Sequence, residues 1–219
     1  MKLDSRLALC AEMVTGDFIC DVGTDHGLLP AFLIASGKCR RAVCSDINPL
    51  PLAAARETLV KAGAADRAET FLSDGLKDVP LEGVTDIVIA GMGGETIAKI
   101  MSGSNHGTAA FILQPMSRAE LLRDFLAENG FAVTAEQGVV SGGFAYTVMR
   151  CSYTGEVRKI SPEERITGLL SRSRPDDREY VKRQLFRIDS AAAGIGKSDK
   201  ERAGDMLALS GRIREEWNL

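Results

Sequence analysis

Short apolar runs alternate with amphipathic segments over most of the first 130 residues, and then the alternation stops. Residues 18–22, 41–45, 68–72, 86–90 and 109–113 have strand length and strand composition, and the segments 28–36, 49–61, 95–101 and 118–129 between them carry helical periodicity. A β-α-β-α order requires crossover connections, and hence a mostly parallel sheet with helices on both faces. Residues 131–140 and 144–152 then read as two strands joined by Ser141-Gly142-Gly143, which forces an antiparallel pair. The expected architecture is an α/β, Rossmann-like, seven-stranded sheet that ends in an antiparallel hairpin.

The two ends of the chain are helical. Leu3, Leu7, Cys10 and Val14 fall on one face, which describes a packed amphipathic helix and not a signal peptide. Beyond Val157, Ser161-Pro162-Glu163-Glu164 has the spacing of a capped helix start. Val181, Leu185, Ile188 and Ala192 form one stripe, and Met206, Leu209, Ile213 and Trp217 form another after the G-I-G-K-S turn. These predict a coiled-coil-like antiparallel helical hairpin. The expected division is residues 1–157 as a ligand-binding unit, able to hold its ligand alone, and 158–219 as a small C-terminal α-helical domain.

Composition narrows the function classes. No run reaches the ~18 apolar residues of a membrane span, and a net charge of −3 does not suit a protein that coats nucleic acid. The charge is uneven: residues 1–150 hold 13 Lys and Arg against 18 Asp and Glu, whereas 151–219 hold 14 against 12. That leaves the tail as the place where a polyanion would touch. Five cysteines without a C-x-x-C pair read as reduced core thiols of a cytoplasmic protein with no metal site.

The chemistry is expected where the strands end. The first strand delivers Asp21 into a loop, D-V-G-T-D-H-G, that opens a helix. In open α/β sheets this edge binds nucleotide-like ligands. Gly23 and Gly27 allow close backbone approach, but Asp25 stands where a phosphate loop would carry another glycine, and carboxylates repel a pyrophosphate. The loop suits a cationic ligand with an amino-acid ammonium, for which S-adenosylmethionine is the obvious candidate. Asp46, 25 residues after Asp21, ends the second strand and is placed to accept both hydroxyls of a ribose. Asn48 follows as an N-cap, and Asp74-Gly75 ends the third strand where an adenine would lie. Three acids at three successive strand ends can touch one ligand.

The fourth strand ends in Gly91, Met92, Gly93 and Gly94, which clears side chains for a flat methyl acceptor such as a nucleobase. Gln114-Pro115-Met116 ends the fifth, where Gln114 either offers a carboxamide to a base edge or stabilises a turn. No residue stands out as a general base, which fits a ring nitrogen attacking with its own lone pair. His26 reads as a hydrogen-bonded spacer in the loop, and His106 as a solvated loop residue.

Taken together, D-V-G-T-D-H-G-L-L-P, S-D-I-N, S-D-G-L, I-A-G-M-G-G and L-Q-P-M, with the L-D-S-R-L opening, resemble the bacterial tRNA (adenine-22-N1)-methyltransferase family over essentially the whole chain. The resemblance implies a class I methyltransferase fold, S-adenosylmethionine as cofactor and tRNA as partner. It also implies Gly23, Asp25, His26 and Gly27 in the cofactor loop, Asp46 at the ribose and Asp74-Gly75 at the adenine. Residues 92–94 and 114–116 would then border the target base. Two other readings stay open here: a small-molecule methyltransferase with the hairpin as lid or dimer contact, and a non-catalytic nucleotide-binding module. The chain is expected to be a monomer or weak homodimer.

Overall fold

The computed structural model describes residues 1–103, 107–196 and 198–219. The reading made for His106, and the Lys197 part of the glycine turn, lie outside the described residues. Seven strands form one sheet: β1 (Phe18–Val22), β2 (Arg41–Asp46), β3 (Ala68–Leu72), β4 (Asp86–Gly93), β5 (Ala110–Ser117), β6 (Phe131–Ser141) and β7 (Phe144–Tyr153). Their order is β3-β2-β1-β4-β5-β7-β6, with β1 to β5 parallel and β7 antiparallel to both of its neighbours. The direction of winding reverses between β1 and β4, and that switch point opens a crevice outside the strands' carboxyl ends.

Eight α-helices accompany the sheet among the described residues: α1 (Ser5–Met13), α2 (Leu28–Ala35), α3 (Pro49–Lys61), α4 (Gly94–Ser102), α5 (Ala119–Glu128), α6 (Pro162–Thr167), α7 (Pro175–Ile195) and α8 (Lys200–Trp217). The central strands β1, β4 and β5 are buried over most of their length because both faces are covered. Ile19, Cys44, Val88 and Ile112 pack with α1, α2 and α3 on one side. Their sequence neighbours Cys20, Val43, Ile87 and Phe111 pack on the other with α4, α5, α7 and α8. All five cysteines are buried free thiols, and burial raises the pKa of each, that of Cys39 to about 11.

Strands β4 and β5 run further than their apolar stretches, through Gly93 and Ser117, with register shifts between Ala90 and Met92 and between Met92 and Gly93. Pro115 is tolerated because β7 pairs with β5 only at Phe111–Leu113 and has already left this edge. Gly94 marks a close approach: a Cβ there would lie 2.3 Å from the carbonyl oxygen of Arg118. Gly94→Ala is therefore expected to cost about 1–3 kcal/mol by overpacking against backbone. A urea midpoint unchanged from wild type would show that the turn at Arg118 yields freely.

The C-terminal helices pack on each other and also on the sheet. Tyr180, Val181, Leu185, Ile213 and Trp217 belong to the same buried cluster as Phe111 and Met149. The Asp177 carboxylate accepts from the N–H groups of Gly138 on β6 and Ser171, each at 2.7 Å. A Cβ on Gly138 would meet Asp177 Cα at 2.9 Å, so α7 lies directly on the strand backbone. Residues 158–219 thus complete one wall of the core that the first 157 residues begin.

Candidate active site

The β1–α2 loop is shaped by residues at positive φ. Gly23 (70°), Asp25 (51°) and Gly27 (64°) turn the chain back so that the N–H groups of Gly23 and Thr24 both donate to the Ser45 carbonyl, at 2.8 and 2.9 Å. A side chain at Gly27 would strike Ala55 of α3, with Cβ–Cβ at 2.9 Å, so this glycine packs loop against helix. Asp21 is buried at the end of β1 and accepts from the Thr24 hydroxyl at 2.6 Å. Burial pushes its carboxyl up to about 6, against the lowering effect of the Thr24 bond and with a smaller push from Asp46.

Asp46 ends β2 with each carboxylate oxygen taking a backbone N–H, from Asn48 at 2.9 Å and from Asp25 at 3.4 Å. Asn48 occupies the N-cap position of α3 but makes no side-chain cap bond. Asp74 follows β3, pairs with Lys77 at 2.5 Å, and is held below the usual carboxylate range by that partner. Gly75 (68°) and Gly91 (80°) turn the backbone at the ends of β3 and β4, and nothing lies within 4 Å of where a Gly91 Cβ would be.

These elements enclose a cavity of about 700 Å³ at the carboxyl edge of the sheet. Its lining brings together Asp21, Gly23, Asp25, His26, Asp46, Asn48, Asp74, Gly75, Gly91, Met92 and Met116. Gly27, Gly93, Gly94, Gln114 and Pro115 do not line it. Gly93 is the N-cap of α4, and Gly94 packs beneath it against the β5–α5 turn. Gln114 is buried and committed internally. Its Oε1 accepts from Arg6 Nη1 at 2.9 Å and from the Gly91 N–H at 3.1 Å, and its Nε2 donates to the Pro115 carbonyl at 3.0 Å. Of the two readings of Gln114, the turn-stabilising one describes its bonds. His26 is an exposed spacer 3.7 Å from Asp25.

Sequence reasoning missed Arg6, Thr24, Lys77 and Lys99, all of which line the cavity. Arg6 lay inside the quoted L-D-S-R-L opening, yet no periodicity connects the first turn of α1 with strand ends a hundred residues away. The cavity is acidic along Asp21, Asp25 and Asp46 and mixed in sign at Asp74, where Lys77 and Lys99 approach. A ligand that carries an ammonium group at one end and ribose hydroxyls in its middle fits that arrangement. Among the described residues, no group of three His, Cys, Asp or Glu side chains could hold a metal ion, and no helix is long and apolar enough to cross a membrane.

A family model described as a methyltransferase domain matches residues 3–149. The tRNA (adenine(22)-N(1))-methyltransferase of Bacillus subtilis is 30% identical over 153 residues, which cover 68% of this chain and 64% of that enzyme. The chain belongs to the tRNA (adenine-22-N1)-methyltransferase family. A candidate tRNA methyltransferase of Mycoplasma pneumoniae is 32% identical over 151 residues, covering 68% of this chain and 70% of that one. The fold agrees along the whole length. A Streptococcus pneumoniae structure, described as a candidate tRNA (m1A22) methyltransferase, is 26% identical with a TM-score of 0.86, covering 98% of this chain and 99% of that one. The same S. pneumoniae protein solved with S-adenosyl-L-methionine gives a TM-score of 0.78 at 25% identity, over 95% and 97% of the two chains. The methyltransferase family and the strand order β3-β2-β1-β4-β5-β7-β6 therefore agree with the seven-stranded plan expected from the sequence.

Proposed function

We propose that the protein transfers a methyl group from S-adenosylmethionine to N1 of an adenine in tRNA, at position 22 as in its B. subtilis relative. The observation that carries this reading is the cavity itself. It gathers the acids that end β1, β2 and the β3 turn, and it opens at Gly91, where no side chain blocks a planar acceptor.

The cofactor supplies a methyl group made electrophilic by a sulfonium. Asp21 and the Thr24 loop hold its ammonium end, Asp46 accepts from its ribose hydroxyls, and Asp74 with the Gly75 backbone meets its adenine. Met92 and Met116 wall the acceptor side. Adenine N1 attacks with its own lone pair, so the N–C bond forms as the C–S bond breaks and no proton has to leave first. The positive charge passes from sulfur to the base. The side chains contribute positioning and a fixed field. An adenine inside folded tRNA must first leave its stack, at a cost of a few kcal/mol. By this reading residues 1–157 carry the chemistry, since among the described residues none beyond Met116 lines the cavity, and the helices of 158–219 contact RNA. The five free thiols suit the cytoplasm.

Incubation with methyl-labelled S-adenosylmethionine and unmodified tRNA, followed by nucleoside analysis, tests the proposal. The expected product is 1-methyladenosine. Clear cofactor binding without transfer to any RNA would overturn it in favour of a small-molecule acceptor or a binding module.

The raised Asp21 carboxyl adds a pH prediction. Near its shifted value of about 6 a proton competes with the cofactor ammonium for Asp21. Affinity is therefore expected to fall as pH drops below 6, by up to about tenfold per pH unit for a single linked proton, and to be level from about 6.5 to 7.5. The free fold follows the opposite sign. A carboxyl raised above its unfolded value favours the folded state at low pH, and that contribution is lost as pH rises through about 6. Calorimetric titration at pH 5, 6 and 7 reads the linkage, and equal dissociation constants at all three would exclude it.

A further inference from the structure

The first turn of α1 is carried to the carboxyl edge of the sheet, where Arg6 joins the cavity wall beside Gly91, Met92 and Met116. Its guanidinium is held from several sides. Nη1 donates to Gln114 Oε1 at 2.9 Å and to the Met116 sulfur at 3.4 Å, and Nη2 donates to Asp4 Oδ2 at 2.7 Å. The Tyr146 ring of β7 lies 5.7 Å from its carbon centre. The other oxygen of Asp4 accepts from the Leu7 N–H at 2.9 Å, so the residue that caps α1 also anchors Arg6. The Arg6 side chain is 20% exposed.

Gln114 Oε1 is shared between Arg6 and the Gly91 N–H. One carboxamide oxygen therefore ties the end of β4, which bulges at Gly91, to the end of β5. The guanidinium fixes that carboxamide through a charge-assisted bond. The same group holds the Met116 sulfur, so both sides of the acceptor mouth are referred to a single planar cation.

We propose that Arg6 is a positioning residue for the methyl acceptor, acting through Gln114 and Met116 to set the walls of the base-binding mouth. This rests on the methyl-transfer reading above. The Asp4 partner has a role in the same design. Methyl transfer moves positive charge towards the base, which an uncompensated cation at the mouth would oppose. The Arg6–Asp4 ion pair brings a five-donor fork into the wall with little net charge.

The test compares Arg6→Ala, Arg6→Lys, Gln114→Ala and the Arg6→Ala/Gln114→Ala double variant, with S-adenosylmethionine and tRNA as substrates. Displacement of a bound reactant by about 1 Å costs on the order of 100-fold in rate, so kcat of Arg6→Ala is expected to fall by about that factor. The cofactor Kd and the tRNA KM are expected to stay within about threefold of wild type. Because lysine keeps the charge and loses the fork, Arg6→Lys is expected to remain at least about tenfold slow. Two groups that act as a unit lose their effect once, so the double variant should be no slower than the slower single one. Added methylguanidine should restore part of the Arg6→Ala rate. If Arg6→Ala lowers the unfolding midpoint, Arg6→Lys at the wild-type midpoint carries the comparison. A wild-type kcat in Arg6→Ala, a defect confined to cofactor Kd, or additive losses in the double variant would overturn the inference while leaving the proposed function standing. Absence of transfer by the wild-type protein itself would overturn both.

Discussion

Replacing Glu136 with alanine is expected to cost about 3–5 kcal/mol of folding stability, because it strands a buried guanidinium. The Arg123 and Glu136 side chains are 4% and 1% exposed and meet at 2.6 Å. Arg123 extends from α5 and also donates to the carbonyls of Arg165 and Ile166 in α6, at 2.9 and 3.1 Å. Glu136 of β6 accepts in addition from the Thr147 hydroxyl at 2.7 Å and the Leu169 N–H at 3.0 Å. The Coulombic partnership with Glu136 and the contact with Tyr180 outweigh burial and raise the Arg123 pKa, so the cation cannot escape by losing its proton. The pair thus joins α5, the terminal hairpin and the first C-terminal helix at one point. Urea or thermal unfolding of Glu136→Ala reads the cost directly, and a loss below about 1 kcal/mol would mean that water enters and solvates Arg123. The double change Arg123→Met with Glu136→Leu should recover most of the loss, since a well-packed apolar pair removes both desolvation penalties.

Asp46→Ala is expected to weaken S-adenosylmethionine binding by about 100-fold or more. Hydrogen bonds to a charged acceptor contribute about 1.5–3 kcal/mol each, and a ribose offers two hydroxyls to this carboxylate. The carboxylate also anchors the N–H groups of Asn48 and Asp25, so its removal loosens both loops that flank it. Asp46→Asn keeps one oxygen acceptor and should lose only about tenfold. The strand itself should persist, because β2 pairs with both β1 and β3 over its whole length up to this residue. Isothermal titration of each variant against wild type settles the assignment, and affinities within threefold of one another would remove Asp46 from the ribose site.

Shared packing also changes what a truncation can be expected to do. Removing the chain after Val157 would strip α7 from β6 and β7, and with it Tyr180, Val181 and Leu185, which share a buried cluster with Met149. The expectation that the first 157 residues hold the cofactor alone does not allow for that exposed wall. Point changes on the outer faces of α7 and α8 are the cleaner way to ask what the helices contact.

Most of the architecture was legible in the residues because it depends on short-range pattern. Apolar runs of strand length, glycine turns after several of them, and helical stripes between them are local properties, and they placed β1 to β7 within a few residues. The acids at the strand ends were legible for the same reason: in a parallel sheet every strand delivers its C-terminal residue to one edge, so Asp21, Asp46 and Asp74 had to converge. The ends of β4 and β5 were less legible. Glycines, a proline and a glutamine there look like loop, yet register shifts and the departure of β7 let the strands continue through them.

What the amino-acid sequence determined by itself was the alternating sheet, its antiparallel closure and the strand-end acids that line the cavity, each set by neighbours within about 30 residues. Tertiary structure alone decided three other things: that Gln114 turns inward, that Arg6 reaches the cavity wall from α1, and that the C-terminal helices share the sheet's core. The reason is physical. Arg6 and Gln114 are 108 residues apart, and their meeting depends on how α1 docks and on the register of β4 against β5, neither of which leaves a periodic trace in the chain.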